Sequence, residues 1–185
     1  MKLPKIIGIS GTFSSGKDTL AEYLIENYNY NHVSTGDMVR KEAKKRYGNI
    51  ERPTLRIVAT ELKKEGGASV LVKKALDEPK PIIISGIRAI GEAKTIKEAG
   101  GVLLFIDAYI KIRYERMVKR ARDTEAVSTL EEFMNSELKE LAVGNKDEDY
   151  NQITVQNMSD KTINNSGNLE DFYNISLDFL SKEAK

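Results

Sequence analysis

Gly11-Thr-Phe-Ser-Ser-Gly-Lys-Asp-Thr-Leu20 decides how the rest of the chain is read. It follows the apolar run Lys5-Ile-Ile-Gly-Ile-Ser10 and opens the amphipathic stretch Asp18 to Tyr28, so a strand, a glycine loop and a helix succeed one another. Small or absent side chains let successive backbone N–H groups turn toward the oxygens of a phosphate. The helix N-terminus adds about half a positive charge there. Lys17 then reaches the outer phosphates of a bound chain. A glycine-rich turn that bound nothing would not need a lysine at a helix start, where the dipole disfavours a cation. Gly11, Thr12, Phe13, Ser14, Ser15, Gly16, Lys17, Asp18 and Thr19 are therefore expected to bind ATP.

Asp18 is the departure in this loop. The position after the lysine normally supplies a hydroxyl to Mg²⁺, and a carboxylate is a still harder oxygen ligand for a hard cation. Asp18 is read as holding Mg²⁺ directly or through water. The alternative is that Asp18 is a first-turn residue favoured by the dipole, with Thr19 or a water serving the metal.

Outward from the loop, apolar runs alternate with helical patterns, the pattern of βαβ units. Strands are expected at Lys5 to Ser10, Asn31 to Ser34, Pro81 to Ser85, Val102 to Asp107 and Lys161 to Asn164. Helical stretches include Pro53 to Glu65, Arg88 to Ala99 and Tyr109 to Arg122. Near-continuous apolar strands imply helices on both faces, hence a three-layer, doubly wound α/β domain of about five parallel strands. Residues 1–185 are read as one domain, with a core of 1–34, 81–122 and 150–185. Two helical insertions, 35–80 and 123–149, would be movable covers.

Bulk properties restrict the function classes. A chain of 185 residues can bury a core without staples. With 29 Lys+Arg against 28 Asp+Glu, the net charge of +1 offers no field to draw it to nucleic acid or an anionic membrane. There is no cysteine, which excludes disulfides and thiolate-bound zinc. MKLPKIIGIS carries too short an apolar run for a signal or a span. A cytoplasmic location is expected, without nucleic-acid or membrane partners.

His32-Val-Ser-Thr-Gly-Asp-Met-Val-Arg40 narrows the class. Ser34 or Thr35 can cap a helix starting near Gly36, and Arg40 lies one turn inside it. The stretch resembles the segment of adenylate kinases and related nucleoside monophosphate kinases where the second core strand meets the acceptor-binding helix. The resemblance implies a P-loop fold with a monophosphate-binding insertion and a short lid. It also implies that Thr35, Gly36 and Arg40 contact the acceptor and that Asp37 lies near Mg²⁺. In Ile82-Ile-Ile-Ser-Gly-Ile-Arg88, where such kinases carry an Asp-Gly element and then an arginine, Ser85 replaces the Asp and Arg88 carries over as a phosphate ligand. An exchange of carboxylate between positions 85 and 18 is one reading of that pair of departures.

Arg113, Arg116 and Arg120 recur at three and four residues and share a helical face. By the same resemblance Arg116 and Arg120 feed the donor phosphates, with Arg113 and Arg122 as further candidates. Lys17, Arg88, Arg116, Arg120 and Asp37 make up the expected catalytic set. Ser128 or Thr129, with Glu131 and Glu132, starts a short helical lid. The tail Asn157 to Phe172, with LRIVATELKKEGG and TLEEFMNSELKEL, is similar to dephospho-CoA kinases and to an archaeal P-loop kinase family. The expected activity is γ-phosphoryl transfer from ATP to a nucleoside or deoxynucleoside monophosphate. The alternatives are transfer to the ribose hydroxyl of dephospho-CoA, with Asp37 as base, and a nucleotide-binding regulator with weak turnover.

Overall fold

The computed structural model describes residues 1–120, 129–141 and 144–184. Strands β1 (Ile6–Gly11), β2 (Asn31–Ser34), β3 (Ile82–Ile87), β4 (Val102–Asp107) and β5 (Lys161–Asn164) form one sheet in the order β2-β3-β1-β4-β5. Every pairing is parallel, with Ile7 opposite Ile83 on one side and Val102 on the other. The five expected strands are all present, and β1 and β3 run a residue or two further at their C-terminal ends.

Helices cover both faces, so the central strands are apolar throughout. On one face α1 (Lys17–Tyr28) and α9 (Leu169–Glu183) pack Leu20, Leu24, Phe172 and Leu180 onto Ile7, Ile9, Ile83 and Leu104. On the other, α4 (Val70–Leu76), α5 (Ile90–Glu98) and α8 (Gln152–Met158) pack Val72, Ile96 and Val155 onto Ile82, Ile84 and Leu103. Each fully buried Ile or Leu contributes on the order of 1.5–3 kcal/mol of transfer free energy. The sheet is therefore a rigid base for whatever its C-terminal edge carries.

Between β2 and β3, α2 (Thr35–Tyr47), α3 (Arg52–Gly66) and α4 share a smaller core of Val39, Ala43, Val58, Leu62 and Leu71. Arg46 ties α2 to α3 on the surface through Glu61 and Glu65. After β4 come α6 (Ile110–Arg120) and α7 (Leu130–Leu141). Arg122 and residues 123–128, including the possible cap Ser128, lie outside the described residues. The α7 cap is Thr129, whose Oγ1 accepts from Glu132 N at 3.2 Å while Glu132 Oε2 accepts from Thr129 N at 2.7 Å. That reciprocal pair is a capping box. Among the described residues no helix is long and apolar enough to cross a membrane.

Candidate active site at the C-terminal edge of the sheet

The loop from Gly11 to Gly16 leaves β1 at the C-terminal edge, where ligands of open parallel sheets bind. Two glycines make its path possible. Gly11 has φ 142°, and a Cβ there would overlap the Ile106 carbonyl of β4. Gly16 has φ 101°, and a Cβ there would overlap the Asn165 amide. Ser14 takes φ 55°, a left-handed turn uncommon outside glycine. Thr12 fastens the loop to β4, its N–H donating to Ile106 O at 3.2 Å and its hydroxyl to Asp107 Oδ1 at 2.7 Å.

Lys17 begins α1 and folds back along the loop, its ammonium donating to Gly11 O at 2.9 Å and to Thr12 O. Asp18 is more than half exposed, with Arg120 Nη1 3.8 Å from its carboxylate. Arg116 is half-buried: it donates to Asn165 O at 2.8 Å and to Ser15 O at 3.4 Å, and burial lowers its pKa. Arg88 lies with its guanidinium 5.8 Å from the Phe13 ring. Lys17, Asp18, Thr19, Arg88, Arg116 and Arg120 thus surround one loop.

The α2 residues form a neighbouring group. Ser34 caps the helix by accepting from Asp37 N at 3.2 Å. Thr35 Oγ1 donates to Gly86 O at 2.9 Å, two residues before Arg88. Gly86, at φ 82°, permits this approach, since a Cβ would lie 2.7 Å from Thr35 Oγ1. Gly36 lies against the Arg40 guanidinium. Arg40 is paired with Asp37 on the surface, so Asp37 is engaged within its own helix.

Arg113 departs from the arginine face on which its spacing puts it. It is buried, donates to Ala108 O at 2.7 Å and pairs with the equally buried Glu137 of α7. Glu137 Oε1 also accepts from Phe13 N at 3.2 Å, and Phe133 of α7 meets the Phe13 ring edge-on at 6.3 Å. This arginine is a structural strut between α6, α7 and the loop.

Two residues around the loop had no sequence signal, and a third, Ser85, showed there only as a departure without its partner. Glu137 is one acidic residue among several on α7. Asn165 is buried and donates to Ser15 O at 2.7 Å, a contact that depends on β5 ending beside the loop. Ser85, which stands where a carboxylate was expected, shares a 2.8 Å hydrogen bond with His32 Nε2. Burial lowers the His32 pKa, against the opposing pull of Asp18, Asp37 and Glu22.

Among the described residues no group of three His, Cys, Asp or Glu forms a cage for a metal. Mg²⁺ seldom needs one, since it keeps waters and takes one or two carboxylates plus substrate phosphates. The exposed Asp18 carboxylate at the loop fits that donor chemistry.

Loop, sheet order and helix placement define a P-loop protein with a kinase-like α/β fold. Solved structures share it at low identity. A shikimate kinase from Acinetobacter baumannii, in complex with shikimate, is 14% identical with a TM-score of 0.61, covering 97% of this chain and 92% of that one. A gluconokinase from Sinorhizobium meliloti is 15% identical with a TM-score of 0.54, covering 100% and 95%. Residues 8–134 match the AAA domain family. A UPF0200 protein of Pyrobaculum aerophilum is 31% identical over 144 residues, 75% of this chain and 79% of that relative. A UPF0200/UPF0201 protein of Archaeoglobus fulgidus is 32% identical over 98% of this chain, which spans 56% of that relative's length. The chain belongs to the AAA domain family and to the UPF0200 proteins.

Proposed function

We propose that this protein is a small-molecule kinase that moves the γ-phosphoryl group of ATP to a nucleoside or deoxynucleoside monophosphate. One observation carries the reading: Lys17 sits in a glycine loop that Arg88, Arg116 and Arg120 surround at the C-terminal edge of a parallel sheet. Phosphoryl transfer asks for little beyond this. Its transition state spreads charge over equatorial oxygens, and planar arginines can hold two of them at once.

In this reading the loop N–H groups and Lys17 hold the donor phosphates. Arg116 and Arg120 approach from α6, and Arg88 faces the acceptor with Thr35, Gly36 and Arg40. Asp18, with Thr19 beside it, would hold Mg²⁺, which when bound neutralises charge on the β- and γ-phosphates. Asp37, whose charge acts with that of Asp18 on His32, would share that role through water. Its pairing with Arg40 favours an acceptor that needs no base, because an acceptor phosphate is already anionic. A ribose hydroxyl, as in dephospho-CoA, would require Asp37 to leave Arg40 and take the proton.

The Ser85–His32 hydrogen bond supports a second reading, a nucleotide-binding regulator with weak turnover, because it fills the place of the expected carboxylate. ADP release from Mg-ATP, measured separately with each ribo- and deoxynucleoside monophosphate and with dephospho-CoA, decides between them. Selective release with one monophosphate, absent in Lys17→Ala, is expected. ATP binding with no acceptor-dependent release contradicts the kinase reading.

A further inference from the structure

A cavity of about 360 Å³ lies where α2, α3 and α4 meet the edge strand β2. Its apolar lining is Val33, Met38, Leu62, Leu71 and Ala75, and its polar lining is Lys41, Glu42, Lys74 and Glu78. Leu62, Leu71 and Ala75 are buried while Lys41, Lys74 and Glu78 are exposed, so an apolar floor lies beneath a charged mouth. The volume falls within the range of about 300–1,000 Å³ common to small-molecule sites.

This cavity is separate from the acceptor contacts. Met38, Lys41 and Glu42 are three and four residues apart and share one face of α2. Beside that face runs the buried stripe of Thr35, Val39 and Ala43, and the helical repeat puts Gly36 and Arg40 on the far flank of the stripe. The cavity therefore stands behind α2 when the helix is viewed from Gly36 and Arg40.

Charge selects its occupant. Residues 35–80 carry 12 Lys and Arg against 7 Asp and Glu, a net +5 in a chain whose total is +1, so the remainder carries −4. At the mouth, Glu42 is engaged by Arg46 at 2.7 Å. That hydrogen bond, with Lys45 and Lys74 adding to it, holds the Glu42 carboxyl below its ordinary pKa against the opposing effect of burial. Among the described residues no hydrogen bond or ion pair engages the Lys41 or Lys74 ammonium. Two uncommitted cations over an apolar floor suit a ligand whose body leaves water while its charged group stays at the rim.

We propose that this cavity is an effector site for an organic anion, a flat apolar ring system bearing one acidic group, and that its occupant steadies α2 from behind. Binding there is independent of the kinase reading; its effect on the phosphoryl acceptor, through the helix that carries Thr35, Gly36 and Arg40, rests on that reading. An occupant that favours one placement of α2 changes acceptor affinity by the factor by which the acceptor changes its own.

Anilinonaphthalene sulfonate is such an anion, and its fluorescence rises when it leaves water. Its titration into the natural chain is expected to show saturable binding. Lys41→Ala/Lys74→Ala changes two exposed positions and is expected to weaken that binding about tenfold, or ~1.4 kcal/mol. Lys17→Ala, which removes the cation of the phosphate loop, is expected to leave it unchanged. Sulfate at the same concentration should not displace the probe, because it has no apolar body. Equal affinity in the natural chain and the double-lysine variant, an equal loss in Lys17→Ala, or displacement by sulfate would each overturn the site. Lysine-dependent binding in a chain that turns over no acceptor would keep the site and remove the kinase reading. With turnover, saturating probe is expected to move the acceptor KM by about fivefold or more, and an unmoved KM would overturn the coupling while the kinase reading stands.

Discussion

The phosphate loop and the helical insertion between β2 and β3 are adjacent yet held by opposite means. The loop is fixed by backbone geometry and buried contacts: glycines where a Cβ would overlap β4 or Asn165, Thr12 on Asp107, and Arg113 against Glu137. The insertion has a small apolar core and an exposed set of ion pairs, Arg40 with Asp37 and Arg46 with Glu42, Glu61 and Glu65. Buried polar contacts are costly to disturb and exposed pairs are not. The loop side is therefore built to be invariant, and the insertion side to be adjusted.

The sharpest way to break that contrast is to remove the strut. Arg113→Met leaves Glu137 buried without its partner and is expected to destabilise the fold by about 3–5 kcal/mol in urea unfolding, with Arg113→Met/Glu137→Leu recovering part of the loss. Lys17→Met should lower phosphoryl transfer by about 10²–10³-fold in single-turnover assays, with little change in stability. Asn165→Ala strips a buried donor from the Ser15 carbonyl and is expected to cost about 1–3 kcal/mol by the same unfolding measurement. On the other side of the comparison, Arg40→Ala should change stability by less than about 1 kcal/mol, and should act on the acceptor KM rather than on ATP binding.

A smaller effect concerns acid. Burial depresses the His32 pKa below its ordinary 6.5, although Asp18, Asp37 and Glu22 oppose the shift. The unfolded chain therefore takes up a proton more readily than the native one as pH falls. This contribution to stability is complete above pH 6.5 and declines as pH drops through it. In thermal unfolding measured across that range, His32→Gln is expected to flatten the acid decline. An unchanged slope would show that His32 is not its source.

How much could be read in advance follows the same divide. The three central strands are legible because helices on both faces force near-continuous apolar runs, as in Ile82-Ile-Ile and Val102-Leu-Leu-Phe-Ile, whereas the edge strands β2 and β5 each carry a single apolar residue, Val33 and Ile163. The loop is legible because glycine, lysine and helix start are neighbours in sequence. The short α4 and α8 are not, since seven residues give little periodicity and α8 begins with the polar Gln152. Glu137 and Asn165 escape notice for another reason: each acts on a residue more than twenty positions away, and only the folded chain creates the contact. Ser85 was visible as a departure, while its partner His32 belongs to the adjacent strand, so the substitution could be seen and its compensation could not.

On the kinase reading, the loop and its arginines transfer a phosphoryl group to a small acceptor. Incubation with Mg-ATP labelled at the γ-phosphate, in a mixture of nucleoside monophosphates and dephospho-CoA, tests it most directly. Label is expected in one small organic phosphate with the natural chain and in none with Lys17→Ala. Label that stays in ATP, or passes only to inorganic phosphate while ATP binds tightly, would contradict it.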